Sequence, residues 1–245
     1  MTNFYDNPRF YDSLFGHETH TTFYRNVCES YKGNVLELAC GTGQIIGNMQ
    51  SLPNALFGTD LSKAMIEEAI CNYGSTKRIS FSVEDMRQFS HSRTYDVVFI
   101  ARNSLLHLHS YTDFQETLDC IARCLSSEGV FAFDVFNPAL SILARKAEPK
   151  LMFKHAEHPS MGTVDVYSMS SYDKEKQIAH SEWWLIDSSD DRTDIGNLDL
   201  RCIFPQELPL ILKCNGFRIC HRYGSLTKDP FNSQSGRQVC ICIRG

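Results

Sequence analysis

From residue 33 onward the apolar positions keep switching between a strand period and a helix period. Val35-Leu-Glu-Leu-Ala-Cys40 is a short, nearly continuous apolar run of the kind a buried strand needs, and it breaks at Gly41-Thr-Gly43. Ile45, Ile46 and Met49 then recur at helical spacing, which predicts a helix to about Gln50. Residues 55–60 read as a second strand, and Ser62 suits the N-cap of the helix behind it. Residues 79–85 alternate cleanly as a third strand, and 96–101 make a fourth. A helix follows from about Tyr111 to Leu125, and Ser127-Glu-Gly129 turns the chain into a fifth strand over 130–135. Strands alternating with helices imply right-handed crossovers and a parallel sheet covered on both faces.

The pattern changes after Asn137-Pro138. Residues 139–148 read as helical, whereas 163–172, 178–187 and 198–204 read as strands joined by polar turns such as Asp173-Lys-Glu-Lys176. No helix-length segment separates these strands, so they must be antiparallel. Helical spacing returns after Pro205, with Pro205 at the first turn and Gly216 just past the end. Residues 217–223 and 237–244 make a final strand pair. Upstream, residues 4–32 are polar and aromatic, and Tyr11-Asp12 leads a helical stretch through Cys28. The expected organisation is a main domain of 1–138 and 205–245, with 1–32 as an N-terminal helical cap. Residues 139–204 form a β-rich insertion in it.

The Gly41-Thr-Gly43 break is where chemistry is expected. Glycine takes positive φ at little cost and lets a ligand approach the backbone, and the turn and helix N-terminus present unpaired N–H groups. A dinucleotide fingerprint, G-x-G-x-x-G, is missed because Gly47 falls one residue late, and the Lys-Ser/Thr pair of a P-loop is lacking. Glu37, a carboxylate inside the strand, suits a cationic ligand better than a pyrophosphate. Glu37, Gly41 and Gly43 resemble motif I of the class I S-adenosylmethionine-dependent methyltransferases, roughly E/D-x-x-x-G-x-G. The final strand pair is similar to the antiparallel hairpin that ends that family's sheet. The insertion resembles its small-molecule members, among them sugar-amine and glycine-type N-methyltransferases.

The resemblance implies an α/β, Rossmann-like, seven-stranded and mostly parallel sheet with a C-terminal antiparallel hairpin and an antiparallel β lid. It also implies S-adenosyl-L-methionine as cofactor and a nitrogen or oxygen atom of a small molecule as acceptor. Ligands of open α/β sheets lie outside the carboxyl ends of the strands. There Glu37, Ala39, Cys40, Gly41 and Gly43 would line the methionine end of the cofactor, with Tyr11 reaching it from the cap. Asp60 and Leu61 would meet the ribose, Asp85 the adenine amine and Met86 the ring, while Arg102 and Asn103 floor the pocket. His107, just past the fourth strand, is the candidate general base, since imidazole titrates near neutrality. Trp183 and Trp184 are adjacent on a strand and so point to opposite faces, placing one of them at the acceptor. Tyr172 and Arg201 are further candidate acceptor contacts.

Composition narrows the alternatives. A net charge of −5 over 245 residues, with no basic cluster longer than Lys77-Arg78, argues against nucleic acid as partner. No apolar run approaches membrane-spanning length, and the first residues lack the pattern of a signal peptide. Ten cysteines without a C-x-x-C spacing read as reduced thiols in a cytoplasmic protein, and His107 and His109 lack a third metal ligand. No metal is expected, and the chain is expected to act as a monomer or homodimer. Two rival readings stand beside the enzyme: a non-catalytic S-adenosylmethionine sensor or scaffold, and a nicotinamide oxidoreductase, which Glu37 and the displaced Gly47 disfavour.

Overall fold

The structure, a computed structural model, describes residues 5–245, so the first four residues of the expected cap lie outside the described residues. Two cap helices, α1 (Pro8–Leu14) and α2 (Glu18–Cys28), precede β1 (Val35–Leu38), α3 (Gln44–Gly47), β2 (Leu56–Asp60) and α4 (Lys63–Tyr73). Then come β3 (Ile79–Val83), β4 (Tyr95–Ile100), α5 (Tyr111–Cys124) and β5 (Leu125–Phe136). The insertion contributes α6 (Leu140–Leu143), β6 (Lys150–His158), β7 (Gly162–Asp173), β8 (Ile178–Ile186) and β9 (Arg192–Arg201). The chain closes with α7 (Glu207–Cys214), β10 (Phe217–Tyr223) and β11 (Arg237–Arg244).

The main sheet has the order β10-β11-β5-β4-β1-β2-β3, and β6 to β9 form a separate four-stranded sheet in chain order. Pairings among β1 to β5 are parallel, whereas β11 runs antiparallel to both β5 and β10. The Rossmann-like α/β fold expected from the sequence is therefore present, hairpin included. Strands β1 and β4 are apolar almost throughout because helices cover both faces of the sheet. One core layer joins Leu36, Val98 and Phe131 to α5 and α7, and the other joins Val35, Phe99 and Ala132 to α2 and α3. The order of strands reverses at β1 and β4, so the cleft opens at their carboxyl ends.

Local departures from the sequence pattern have physical causes. The helix after β1 stops at Gly47 instead of running to Gln50: Asn48 turns its amide back onto the Gln44 carbonyl, and Gly47 lies under the Tyr73 ring. Strand β6 has no counterpart among the expected strands. It is an edge strand, mostly exposed and twice bulged, with His155 at φ 54°, so its sequence carries no period of two. Strand β9 starts at Arg192, six residues before the expected 198, because its register slips opposite Trp183 and Trp184 and breaks the alternation. The helix expected over 139–148 is limited to α6, which buries no side chain.

The cap and the insertion share a third core, in which Phe10 and Leu14 of α1 meet Val164, Val166, Trp183 and Leu185. Trp184, on the opposite face, stacks on Tyr167 at 5.9 Å with the Arg192 guanidinium 4.3 Å from its ring. At the other end of the insertion, Arg201 of β9 donates to Glu207 of α7 (2.7 Å) and Gln177 (3.0 Å). The ten cysteines are free thiols, seven of them buried among apolar neighbours.

A buried charge ties the layers together. Asp134 in β5 is 0% exposed, and it accepts hydrogen bonds from the Tyr24 hydroxyl (2.7 Å), the Arg102 amide (3.0 Å) and Arg237 of β11 (2.6 Å). His20 Nε2 lies 3.4 Å from the same carboxylate. Burial alone would raise its pKa, but these partners together hold it below the ordinary carboxylate range. Replacing Asp134 with Ala leaves the Tyr24 hydroxyl and the Arg102 amide without their acceptor and releases the partly exposed Arg237, and we expect a loss of about 3 kcal/mol in urea unfolding. A loss below about 1 kcal/mol would show that the knot contributes little.

Candidate functional site

The site begins with the turn after β1. Ala39, Gly41 and Gly43 all have positive φ (55°, 56° and 74°), so the backbone coils tightly around the start of α3. The two glycines serve different needs. A Cβ on Gly43 would stand 2.8 Å from the Phe81 ring, whereas a Cβ on Gly41 would meet no atom within 4 Å. Gly43 is required by packing; Gly41 faces open space.

Four side chains fix the turn. Asp60, at the end of β2, accepts from the Gly41 amide through Oδ2 and from the Ser62 amide through Oδ1, both at 2.8 Å. Its burial raises its pKa against the pull of these two donors. The Thr42 hydroxyl donates to Asp12 of α1 at 2.7 Å, joining the cap to the turn. Glu37 is 1% exposed and accepts from the Ile46 amide at 3.1 Å; burial pushes its carboxyl well up. Arg102 lies across the mouth, donating to the carbonyl of Gly16 (2.6 Å) and to Gln44 Oε1 (3.1 Å).

These groups enclose a cavity of about 30 Å³, lined among others by Tyr11, Glu37, Ala39, Cys40, Arg102 and Ser104. Small-molecule sites usually measure several hundred Å³, so this enclosed part is much smaller than a whole ligand site. Leu61, next in the chain after Asp60, is 68% exposed, an apolar side chain offered to solvent. Met86 is partly buried against the core. Asp85 is engaged by Arg87, which grips both its oxygens and also reaches Asp113, and this pairing holds the Asp85 pKa low.

The floor is formed by two successive left-handed residues, Arg102 and Asn103 (φ 56° and 66°), held from below. Asp134 takes the Arg102 amide, and the Asn103 side chain accepts from the Phe136 amide at 2.7 Å. Asn103 therefore braces β5. A 3-10 turn follows over Ser104–His107. His107 Nε2 is hydrogen-bonded to the Tyr5 hydroxyl at 2.9 Å, and Tyr5 in turn packs against Tyr11. Burial first, then the neighbouring His109, pushes the His107 pKa down to about 4.

The structure thus gathers Tyr11, Glu37, Ala39, Cys40, Gly41 and Arg102 around one cavity, with Asp60 bonded to its Gly41 amide, whereas Leu61 and Asp85 do not line it. Of the two tryptophans, Trp183 faces the cap. Tyr172 and Arg201 stand together near Glu207, where the insertion joins the main domain. Sequence reasoning passed over Asp134, although an acid inside an apolar strand is the same signal that singled out Glu37. It also missed Tyr5, for which no local pattern exists.

Comparison with known proteins bears on the domain and the fold. Residues 35–129 match the family model described as methyltransferase domain. Over 130 residues the chain is 34% identical to the putative methyltransferase YqeM of Bacillus subtilis (strain 168), an alignment covering 52% of this chain and 53% of that protein. The chain thus spans about half the length of that curated relative. Among solved structures, the CcbJ methyltransferase of Streptomyces caelestis superposes with a TM-score of 0.83 at 17% identity, over 100% of this chain and 98% of that one. S-adenosylmethionine-bound CalS10, an amino pentose methyltransferase of Micromonospora echinaspora, gives a TM-score of 0.70 at 16% identity, over 93% and 90%. The resemblance to class I S-adenosylmethionine-dependent methyltransferases read from motif I is borne out in domain and in fold.

Two measurements follow from the site's geometry. Gly41→Ala should cost only the left-handed strain, about 1 kcal/mol in urea unfolding, whereas Gly43→Ala must also displace Phe81 and should cost about 2 kcal/mol or more. Equal losses would refute the distinction. His107 has a folded pKa below its unfolded value, so between pH 6.5 and about 4 the unfolded chain binds a proton that the folded one does not. Its contribution to stability is lost as pH falls through that window. The thermal midpoint should drop less steeply in His107→Gln than in the parent.

Proposed function

We propose that this chain transfers a methyl group from S-adenosylmethionine to a nitrogen or oxygen atom of a small molecule bound between the main sheet and the insertion. The observation that carries the reading is the open glycine turn with a carboxyl group at the end of each of the two strands beside it. The donor set suits this cofactor. Each Asp60 oxygen accepts one backbone N–H and keeps a lone pair for a ribose hydroxyl. Glu37 offers a negative charge to the cationic methionine end, Leu61 an apolar edge to the base, and Gly41 room for close approach. A pyrophosphate would meet two carboxyl groups here, which disfavours a dinucleotide.

When bound, the cofactor supplies a methyl group already activated on a sulfonium. What remains for the protein is alignment and exclusion of water. Tyr11, Arg102 and the cap close over the methionine end, and Asp12 holds the cap to the turn. Trp183 is the insertion's contribution to the acceptor side, while Arg201 and Tyr172 set the insertion's angle from its base. His107, neutral above about pH 5, orients the acceptor by a hydrogen bond in exchange for that of Tyr5. Such a depressed imidazole is a weak base, so an amine acceptor loses its proton before it binds. The sugar and glycopeptide N-methyltransferases of similar fold support a small-molecule acceptor. A cytoplasmic setting accords with the free thiols.

Calorimetry should show S-adenosylmethionine binding in the micromolar range, about −8 kcal/mol, with Asp60→Ala weaker by about 1.5–3 kcal/mol. Tighter binding of NADH would reject the cofactor. Screening of acceptors by product formation separates an enzyme from a sensor. With an accepted substrate, the pH–rate profile should lack an inflection near 6.5, where an unperturbed histidine would titrate. An inflection there that disappears in His107→Gln would restore His107 as general base.

A further inference from the structure

We infer that Glu37 is a neutral carboxylic acid in the ligand-free protein and releases its proton when a cationic ligand fills the cavity beside it. The inference rests on the proposed reading of the cavity as the methionine end of an S-adenosylmethionine site. Two buried carboxyl groups of the same sheet make the contrast. Asp134, 0% exposed, has three hydrogen-bond donors, two from charged or phenolic side chains, and remains an anion. Glu37 is 1% exposed and receives one backbone amide, and among the described residues it makes no ion pair. An isolated carboxylate at that depth costs far more than one amide returns, so the group neutralises by keeping its proton.

Among the described residues the cation that acts on Glu37 is Arg102, which forms no ion pair with it. Around Glu37 stand Asp60 from β2, Asp134 from β5, Tyr24 and Cys28 from α2, Cys40 from the turn, and Arg102 after β4. Two are acids, three are neutral, and the guanidinium of Arg102 is committed to Gly16, Phe15 and Gln44. Glu37 nevertheless lines the cavity. A ligand bringing positive charge there supplies the missing counter-ion. The O–H bond of Glu37 breaks, its electron pair stays on the carboxylate, and the proton leaves to solvent as the ligand's charge takes its place.

The test compares the protein with Glu37→Gln, which keeps the shape of the neutral acid. S-Adenosylmethionine is titrated near pH 7 in buffers of different ionisation enthalpy. The parent should release about one proton per site more than the variant. Below the pKa of Glu37 its affinity should rise about tenfold per pH unit relative to the variant. Equal proton release in both proteins overturns the inference. A second readout needs no ligand: infrared spectra of the free protein at neutral pH should contain a protonated-carboxyl stretch that Glu37→Gln lacks. Absence of that band overturns the inference even if the ligand binds. A band without binding of S-adenosylmethionine overturns the release step and rejects the cofactor reading with it.

Discussion

The hydrogen bond from the Gly41 amide to Asp60 is the contact on which the site depends. It joins the loops after β1 and β2, whose strands are already paired in register from Val35 to Leu38. With that loop pinned, the helix α3 starts at a fixed angle and its Ile46 amide meets Glu37. Thr42 is then presented to Asp12, so the cap docks on a turn that is itself braced. A half-buried carboxylate satisfied by two backbone amides is directional as well as strong, which a purely apolar contact at the same place would not be. The loss of that one carboxylate would loosen the turn, the helix and the cap together.

The main sheet was legible because burial on both faces leaves an unmistakable run of apolar residues, as in Val35–Leu38 and Tyr95–Ile100. Glu37 and Asp60 stood out against such runs for the same reason. Half-exposed elements were harder to read. Strand β6 is stabilised by pairing with β7 along one edge, and its bulges shift side chains off the two-residue repeat. The partnership of Tyr5 with His107 spans 102 residues and depends on where the cap lies. Asp134 was within reach, since only its side-chain partners, not its anomaly, are hidden in the sequence.

The insertion is attached by two unlike devices. Near the cap it buries Trp183, Val164 and Leu185 against α1, a contact that depends on shape and area. Near the hinge it relies on Arg201, whose hydrogen bonds to Glu207 and Gln177 fix direction. Substitutions on the sheet's cap-facing side can therefore reshape the space over His107 while the hinge keeps the sheet aligned. Tyr11 belongs to both the first device and the cavity lining, whereas Arg201, Glu207 and Gln177 do not line the cavity.

Arg237 reaches Asp134 across 103 residues of chain, from a strand that lies between β5 and β10. A ribosome making this protein exposes β1 to β5, the glycine turn and the cap long before it exposes β11. Until then Asp134 lacks its guanidinium partner, and the edge of β5 that β11 will cover is an open strand. The β5 edge and the Asp134 charge are thus completed by one and the same strand, and both depend on a segment made after the rest of the sheet.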